Sequence, residues 1–229
     1  MILSPGRKYL FIHIPKTGGT ALALALEARA MADDMMLGDT PKAKKRRRRL
    51  QGLTTAGRLW KHSTLADIAG LIPEDELRAL FTFTLVRNPG DRAVSYYHWL
   101  RHQHFKHPAV SMAKELKFRD FILSPEVLRS FENHTAASYM RHRDGRAQCH
   151  LYIRIEHFVH DAAPLFDHLG FALDLTVENR SERRRDWREY FDSQTEAAIS
   201  AACAEEIEGF EYSFNDFDLA LEQAHQRPG

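Results

Sequence analysis

The sequence predicts an α/β chain, and three observations predict it. Residues 9–14, Tyr-Leu-Phe-Ile-His-Ile, form an apolar run that stops at Pro15 and passes through Lys16-Thr17-Gly18-Gly19-Thr20 into an Ala/Leu-rich stretch. Residues 82–100 repeat the pattern, with an apolar run to Arg87, a polar turn holding Pro89 and Gly90, and a helical stretch. A third apolar run, at 150–155, is again followed by helical sequence. Such alternation implies a mostly parallel central sheet, helices on both faces and a ligand at the strands' carboxyl ends. The expected architecture is a three-layer αβα sandwich, P-loop-like in its strand-loop-helix units.

In chain order the expectations are strand 9–14, helix 20–32, strand 82–87, helix 90–105, short helices near 114–131, strand 150–155, helix 157–169 and helix 194–208. The helix at 20–32 mixes Leu22, Leu24 and Leu26 with alanines and lacks a clean amphipathic stripe, so it is expected to be largely buried. No internal repeat interrupts this order. With 229 residues and 44% hydrophobic content, the chain suits a single domain, 1–229, that buries roughly 70% of its unfolded surface.

A basic insertion near 34–58 is expected to be flexible. It holds Lys42, Lys44, Lys45, Arg46, Arg47, Arg48 and Arg49, and is read as a solvated mobile loop. Its charge suits a polyanionic glycan, a nucleic acid or an anionic lipid surface. Few aromatics are interleaved beyond Trp60, so nucleic acid ranks below polysaccharide. The chain's net charge is only +1, which leaves any anion preference to local patches.

Two distant cysteines, Cys149 and Cys203, in a chain without a signal peptide suggest reduced thiols and a cytoplasmic setting. The longest apolar runs fall short of the ~20 residues a membrane span requires.

The first loop has the chemistry of an anion site. A strand aims the chain, Gly18 and Gly19 let the backbone approach the anion, and helical N–H groups with the positive dipole end supply donors. Lys16 adds a charge. The order differs from G-x-x-x-x-G-K-[ST], because Lys16 precedes both glycines, so an ATPase or GTPase loop is not indicated. In the second unit Arg87 closes the strand and Ser95 lies in the following helix, a guanidinium fork and a hydroxyl suited to a second anion beside the first.

Pro15 to Thr20 resembles the 5′-phosphosulfate loop of the sulfotransferases that use 3′-phosphoadenosine 5′-phosphosulfate (PAPS). Arg87-Asn88-Pro89, through Arg92 to Ser95-Tyr96-Tyr97, resembles their 3′-phosphate motif. Lys61-His62-Ser63-Thr64, Tyr152 to Phe158 and Glu205 to Phe214 are similar to the carbohydrate branch that includes uronyl 2-O-sulfotransferases. The resemblance spans residues 9–217 and leaves out 31–58. Animal relatives of this branch are usually Golgi-anchored, so an anchorless chain suggests a bacterial member.

The resemblance implies PAPS as cofactor and a hydroxyl on a carbohydrate or glycolipid as acceptor. It assigns Lys16, with the N–H groups of Thr17, Gly18, Gly19 and Thr20, to the 5′ end of the nucleotide, where Lys16 meets charge on the leaving phosphate. Arg87 and Ser95 go to the 3′-phosphate. A basic loop over the nucleotide falls at 179–185, where Arg180 and Arg184, with Arg183 as a third candidate, are cofactor contacts. The catalytic base is carried to His62, with a surface histidine as the competing reading; His13 is expected to be a packed strand residue. Arg154 has two readings, a reach into the active-site crevice and, at least as strongly, a structural ion pair with Glu156. Asp91, Glu156 and Asp161 form no metal pattern and no metal is expected. Two other classes compete: a phosphotransferase using ATP through a variant loop, and a noncatalytic polyanion-binding protein of the same fold.

Overall fold

All four side chains of Tyr9–Ile12 are buried, Tyr9 and Phe11 toward one side and Leu10 and Ile12 toward the other. A strand buried on both faces belongs inside a sheet that is covered on both sides. The computed structural model, which describes residues 1–175 and 183–214, places it there. The strands are β1 (Ile2–Ser4), β2 (Tyr9–Ile12), β3 (Met35–Met36), β4 (Phe81–Val86) and β5 (Leu151–Arg154), in the spatial order β3-β1-β2-β4-β5. β2, β4 and β5 are parallel, with Phe11 opposite Phe83 and Phe83 opposite Leu151. β1 is antiparallel to both β2 and β3, so it alone opposes the other strands and the sheet is mostly parallel, as expected.

The helices are α1 (Gly19–Ala28), α2 (Pro41–Arg46), α3 (Glu74–Arg78), α4 (Pro89–Arg101), α5 (Pro108–Glu115) and α6 (Phe118–Ile122), then α7 (Pro125–Asn133), α8 (Ala136–Tyr139), α9 (Phe158–Asp161), α10 (Ala163–Leu169), α11 (Ser193–Ala202) and α12 (Ala204–Gly209). The described residues fall into two compact units, one holding Met1–Val86 with 136–175, the other 87–135 with 183–214.

The first unit contains the sheet. Leu22 and Leu26 of α1, Phe158 of α9, and Leu165 and Leu169 of α10 pack with Tyr9, Phe11, Phe83, Leu85 and Ile153. Each such side chain contributes about 1.5–3 kcal/mol through burial. This core fixes the end of β2, and with it the loop that follows. The second unit is helical around Val94, Tyr97 and Leu100 of α4, with Val110, Phe121, Phe131, Trp187 and Ile199.

Several boundaries differ from expectation for physical reasons. α1 stops at Ala28 instead of 32, where the Glu27 carbonyl accepts from Lys42 Nζ and Asp34 turns back to accept from the Met31 N–H at 2.9 Å. The expected helix 157–169 is divided, with Pro164 in the first turn of α10, where a missing N–H is tolerated. The basic run expected as a loop is helical: α2 continues into a 3₁₀ turn, Arg47–Leu50, with Ala43 and Leu50 buried and Lys44, Lys45, Arg47, Arg48 and Arg49 exposed. No described helix is long and apolar enough to cross a membrane.

Candidate active site

In the first unit β2 delivers the chain through His13 and Ile14 into the loop. Lys16 takes φ 67° and Gly18 φ 86°, both left-handed, before α1 begins at Gly19. A lysine in that region is strained, whereas Gly18 is not. Thr17 is buried and its Oγ1 donates to the Ile14 carbonyl at 2.9 Å, closing the turn from inside. Lys16 and Thr20 are half-buried. The first helical N–H groups follow directly, so the loop has a cation, backbone donors and a helix N-terminus in sequence.

The glycines also answer to packing. A Cβ on Gly18 would lie 2.0 Å from Ile155 Cδ1, and one on Gly19 would lie 2.2 Å from His13 Cδ2. Both close approaches are within the first unit. They tie the loop to β5's end and to the His13 ring.

His62 belongs to this region. Its Nδ1 lies 2.7 Å from the His13 carbonyl oxygen, and the two rings meet edge to face at 4.6 Å. A carbonyl only accepts, so Nδ1 carries the proton and Nε2 of the neutral ring holds a lone pair. Burial pushes the His62 pKa down to about 4, against the upward pull of the His13 carbonyl, with the Lys61 charge lowering it further. His62 is therefore neutral at physiological pH. His13 is buried and also held well below the ordinary range, by burial first, then by repulsion from His62 whenever that ring is protonated, and by the charges of Lys61 and Lys16. Beside the pair, a small cavity is lined by His13, Thr20, Asp39, Thr40 and Lys61, with Lys61 Nζ 2.6 Å from Asp39 Oδ2.

In the second unit Asn88 caps α4, accepting from the Gly90 N–H at 3.0 Å, and Pro89 occupies the first turn. Asp91 lies one turn after Arg87 and joins two arginines. Arg87 Nε donates to its Oδ2 at 2.7 Å, and Arg183 Nη1 donates to its Oδ1 at 2.5 Å. Asp91 is 4% exposed. Burial acts to raise its pKa, but Arg87 and Arg183 outweigh this and hold it below the usual carboxylate range. Ser95, one turn further along the Asp91 face of α4, is buried. The unit thus presents two guanidiniums locked by one carboxylate, next to a serine on the same helical stripe.

Other motif residues serve the scaffold. Arg92 is buried against Glu206 at 3.4 Å and donates to the His134 carbonyl at 3.1 Å. Arg154 binds Asp161, Nε to Oδ2 at 2.8 Å. Arg184 is exposed and pairs with Glu189 at 3.0 Å, while Arg180 lies outside the described residues. Sequence reasoning underweighted Arg183 and considered Asp91 only as a metal ligand; the i, i+4 spacing of Arg87 and Asp91 was the available signal. Burial raises both cysteine thiols to about 12, so neither supplies a thiolate.

The sequence model of the sulfotransferase family matches residues 1–218. No curated protein sequence matches the chain. Among solved structures, the fold is similar to that of mouse sulfotransferase SULT7A1 complexed with PAP, with a TM-score of 0.51 and 16% identity over 89% of this chain and 88% of that chain. A match that spans nearly the whole sequence, on a chain whose strand-loop-helix units are built as described, shows that the chain belongs to the sulfotransferase family and is a sulfotransferase.

Proposed function

We propose that the chain transfers the sulfuryl group of PAPS to a hydroxyl of a carbohydrate or glycolipid by in-line displacement. The observation that supports this most is the hydrogen bond from His62 Nδ1 to the His13 carbonyl, which ties a neutral imidazole to the strand end that delivers Lys16 three residues later. Base and cationic loop then share one rigid origin, as positioning for displacement requires. The PAP in the mouse relative supports the choice of nucleotide.

In the proposed reaction Nε2 of His62 takes the acceptor proton as the oxygen-to-sulfur bond forms and the bond from sulfur to the 5′-phosphate oxygen breaks. Negative charge on the departing 5′-phosphate is met by Lys16 and the N–H groups of Thr17 to Thr20. Arg87 and Ser95 hold the 3′-phosphate, with Asp91 fixing the Arg87 fork; Arg180 and Arg184 are further nucleotide contacts in this reading. Lys16 and the backbone donors here take the part that a metal ion plays in phosphoryl transfer. The buried, uncharged thiols fit a reducing compartment such as a bacterial cytoplasm.

Calorimetric titration with 3′-phosphoadenosine 5′-phosphate (PAP) and with ATP, in the presence of chelator, tests the reading. Tight binding of PAP and none of ATP is expected. Metal-dependent ATP binding without PAP binding would replace it with phosphotransfer, and binding of neither would leave a noncatalytic protein.

A further inference from the structure

Residues 40–66 carry nine of the chain's 32 Lys and Arg and none of its 31 Asp and Glu. Seven of the nine lie between Lys42 and Arg49, and the structure divides them into two groups. Lys42 Nζ donates to the Glu27 carbonyl, Arg46 Nη1 to the Met31 carbonyl at 2.7 Å and Arg49 Nη1 to the Ala32 carbonyl, so these three serve the carboxyl end of α1 and the turn after it. Lys44, Lys45, Arg47 and Arg48 are exposed, and although the Lys44 charge acts across space on the Asp39 carboxylate, none of the four side chains makes a hydrogen bond or close ion pair among the described residues. The inward group anchors the segment; the outward group is left for something else.

Apolar side chains accompany these cations. Five large hydrophobic residues are exposed among the described residues, and three of them fall close to this segment in the chain: Met31, whose carbonyl holds Arg46, Leu53, which follows the 3₁₀ turn, and Trp60, whose ring carries the Arg58 guanidinium at 5.9 Å. Leu53 and Trp60 are each 43% exposed. A fully hydrated polyanion, whether glycan or nucleic acid, gives exposed Met and Leu side chains nothing to bury against. An anionic bilayer takes both, the cations at its phosphates and the apolar groups at the headgroup boundary.

We propose that the α2 segment, Lys44, Lys45, Arg47 and Arg48 with Leu53 and Trp60, docks the protein on an anionic lipid surface. This goes beyond sulfuryl transfer and stands independently of the nucleotide assignment. Sedimentation with vesicles of phosphatidylcholine alone, and with about one-third phosphatidylglycerol, tests it. Binding is expected only to the anionic vesicles and is lost as NaCl rises from about 0.1 to about 0.5 M, because screening shortens the reach of the charges. The K44Q/K45Q/R47Q/R48Q variant should partition roughly a hundredfold or more less well, and Leu53→Ser several-fold less well, each retaining wild-type PAP affinity and melting temperature. No vesicle binding by the wild type, equal binding by the fourfold variant, or binding to heparin or duplex DNA without vesicle binding would each overturn the proposal. If the fourfold variant does not fold, the salt series and Leu53→Ser carry the decision.

Discussion

His62 Nδ1 sits 2.7 Å from the carbonyl oxygen of His13, the residue that ends the central strand's approach to the Lys16 loop. That bond fixes which ring nitrogen is protonated and leaves Nε2 as the basic atom. Substituting His62 with Ala is expected to remove turnover while leaving PAP affinity within about twofold, since no nucleotide contact is assigned to it. Turnover near wild type would eliminate it as the base.

The same burial predicts a stability signature. His62 titrates near pH 4 when folded and at its ordinary value of 6.5 when unfolded, so between these values the unfolded chain binds more protons. Stability therefore falls as pH drops from 6.5 toward 4, and the penalty is absent well above 6.5. Going from about pH 7.5 to 5, the contribution is about 2 kcal/mol. Urea melts of wild type and His62→Asn at both pH values check this: the loss on acidification should be smaller in the variant by about that amount. His13, shifted in the same direction, leaves a residual slope in both proteins.

Lys16 combines strain with charge, and the two separate by substitution. Both Lys16→Ala and Lys16→Gly remove the side chain, but only Gly accepts φ 67° without cost. The Gly variant should be more stable than the Ala variant by about 1 kcal/mol, with PAP affinity and turnover reduced alike in both. Equal stability of the two would mean that the loop relaxes out of the left-handed conformation. Retained turnover in either would remove Lys16 from the reaction.

The strand-loop-helix units were legible because each pairs a run of buried residues with a turn whose chemistry is local: Pro15, Gly18 and Gly19 in one, Asn88, Pro89 and Gly90 in the other. β1 and β3 were not, since three-residue and two-residue strands offer no periodicity and owe their pairing to neighbours. The helical form of the basic segment was not legible because it is held by long-range bonds from Lys42, Arg46 and Arg49 to carbonyls at the end of α1 and in the turn after it, which no local pattern encodes. His62 was reached by resemblance alone. Its partner His13 is 49 residues away, and only folding makes a backbone carbonyl into an orienting group. Arg183 could not be singled out from its neighbours because consecutive arginines look alike until one meets Asp91.

Asp91 gives the second unit its own test. Asp91→Asn leaves Arg87 and Arg183 facing each other without their shared carboxylate, and loss of a buried ionic partner costs about 3 kcal/mol. If Asp91 fixes the Arg87 fork for the 3′-phosphate, the ratio of PAP to AMP affinity should also fall, roughly tenfold, while AMP affinity is little changed. Calorimetry with the two nucleotides reads this directly, at a temperature where urea melts show the variant folded. A stability loss with an unchanged ratio would make Asp91 a scaffold residue only.

Gly19 links the loop to the base. A Cβ there would meet the His13 ring at 2.2 Å from Cδ2 and 2.5 Å from Nε2, closer than packed atoms come, and the ring has Phe11 stacked at 5.8 Å on one side and His62 edge-on at 4.6 Å. The ring has to move, and the carbonyl that orients His62 belongs to the same residue. Gly19→Ala should therefore lose about 1–3 kcal/mol of stability and cut kcat by an order of magnitude or more, because sub-ångström displacements of a positioned base are that costly. Gly52→Ala, at φ 83° with nothing within 4 Å, is the control for backbone strain away from the base: it should lose about 1 kcal/mol and keep kcat. If Gly19→Ala also kept kcat, the path from the loop through His13 to His62 would not position the base.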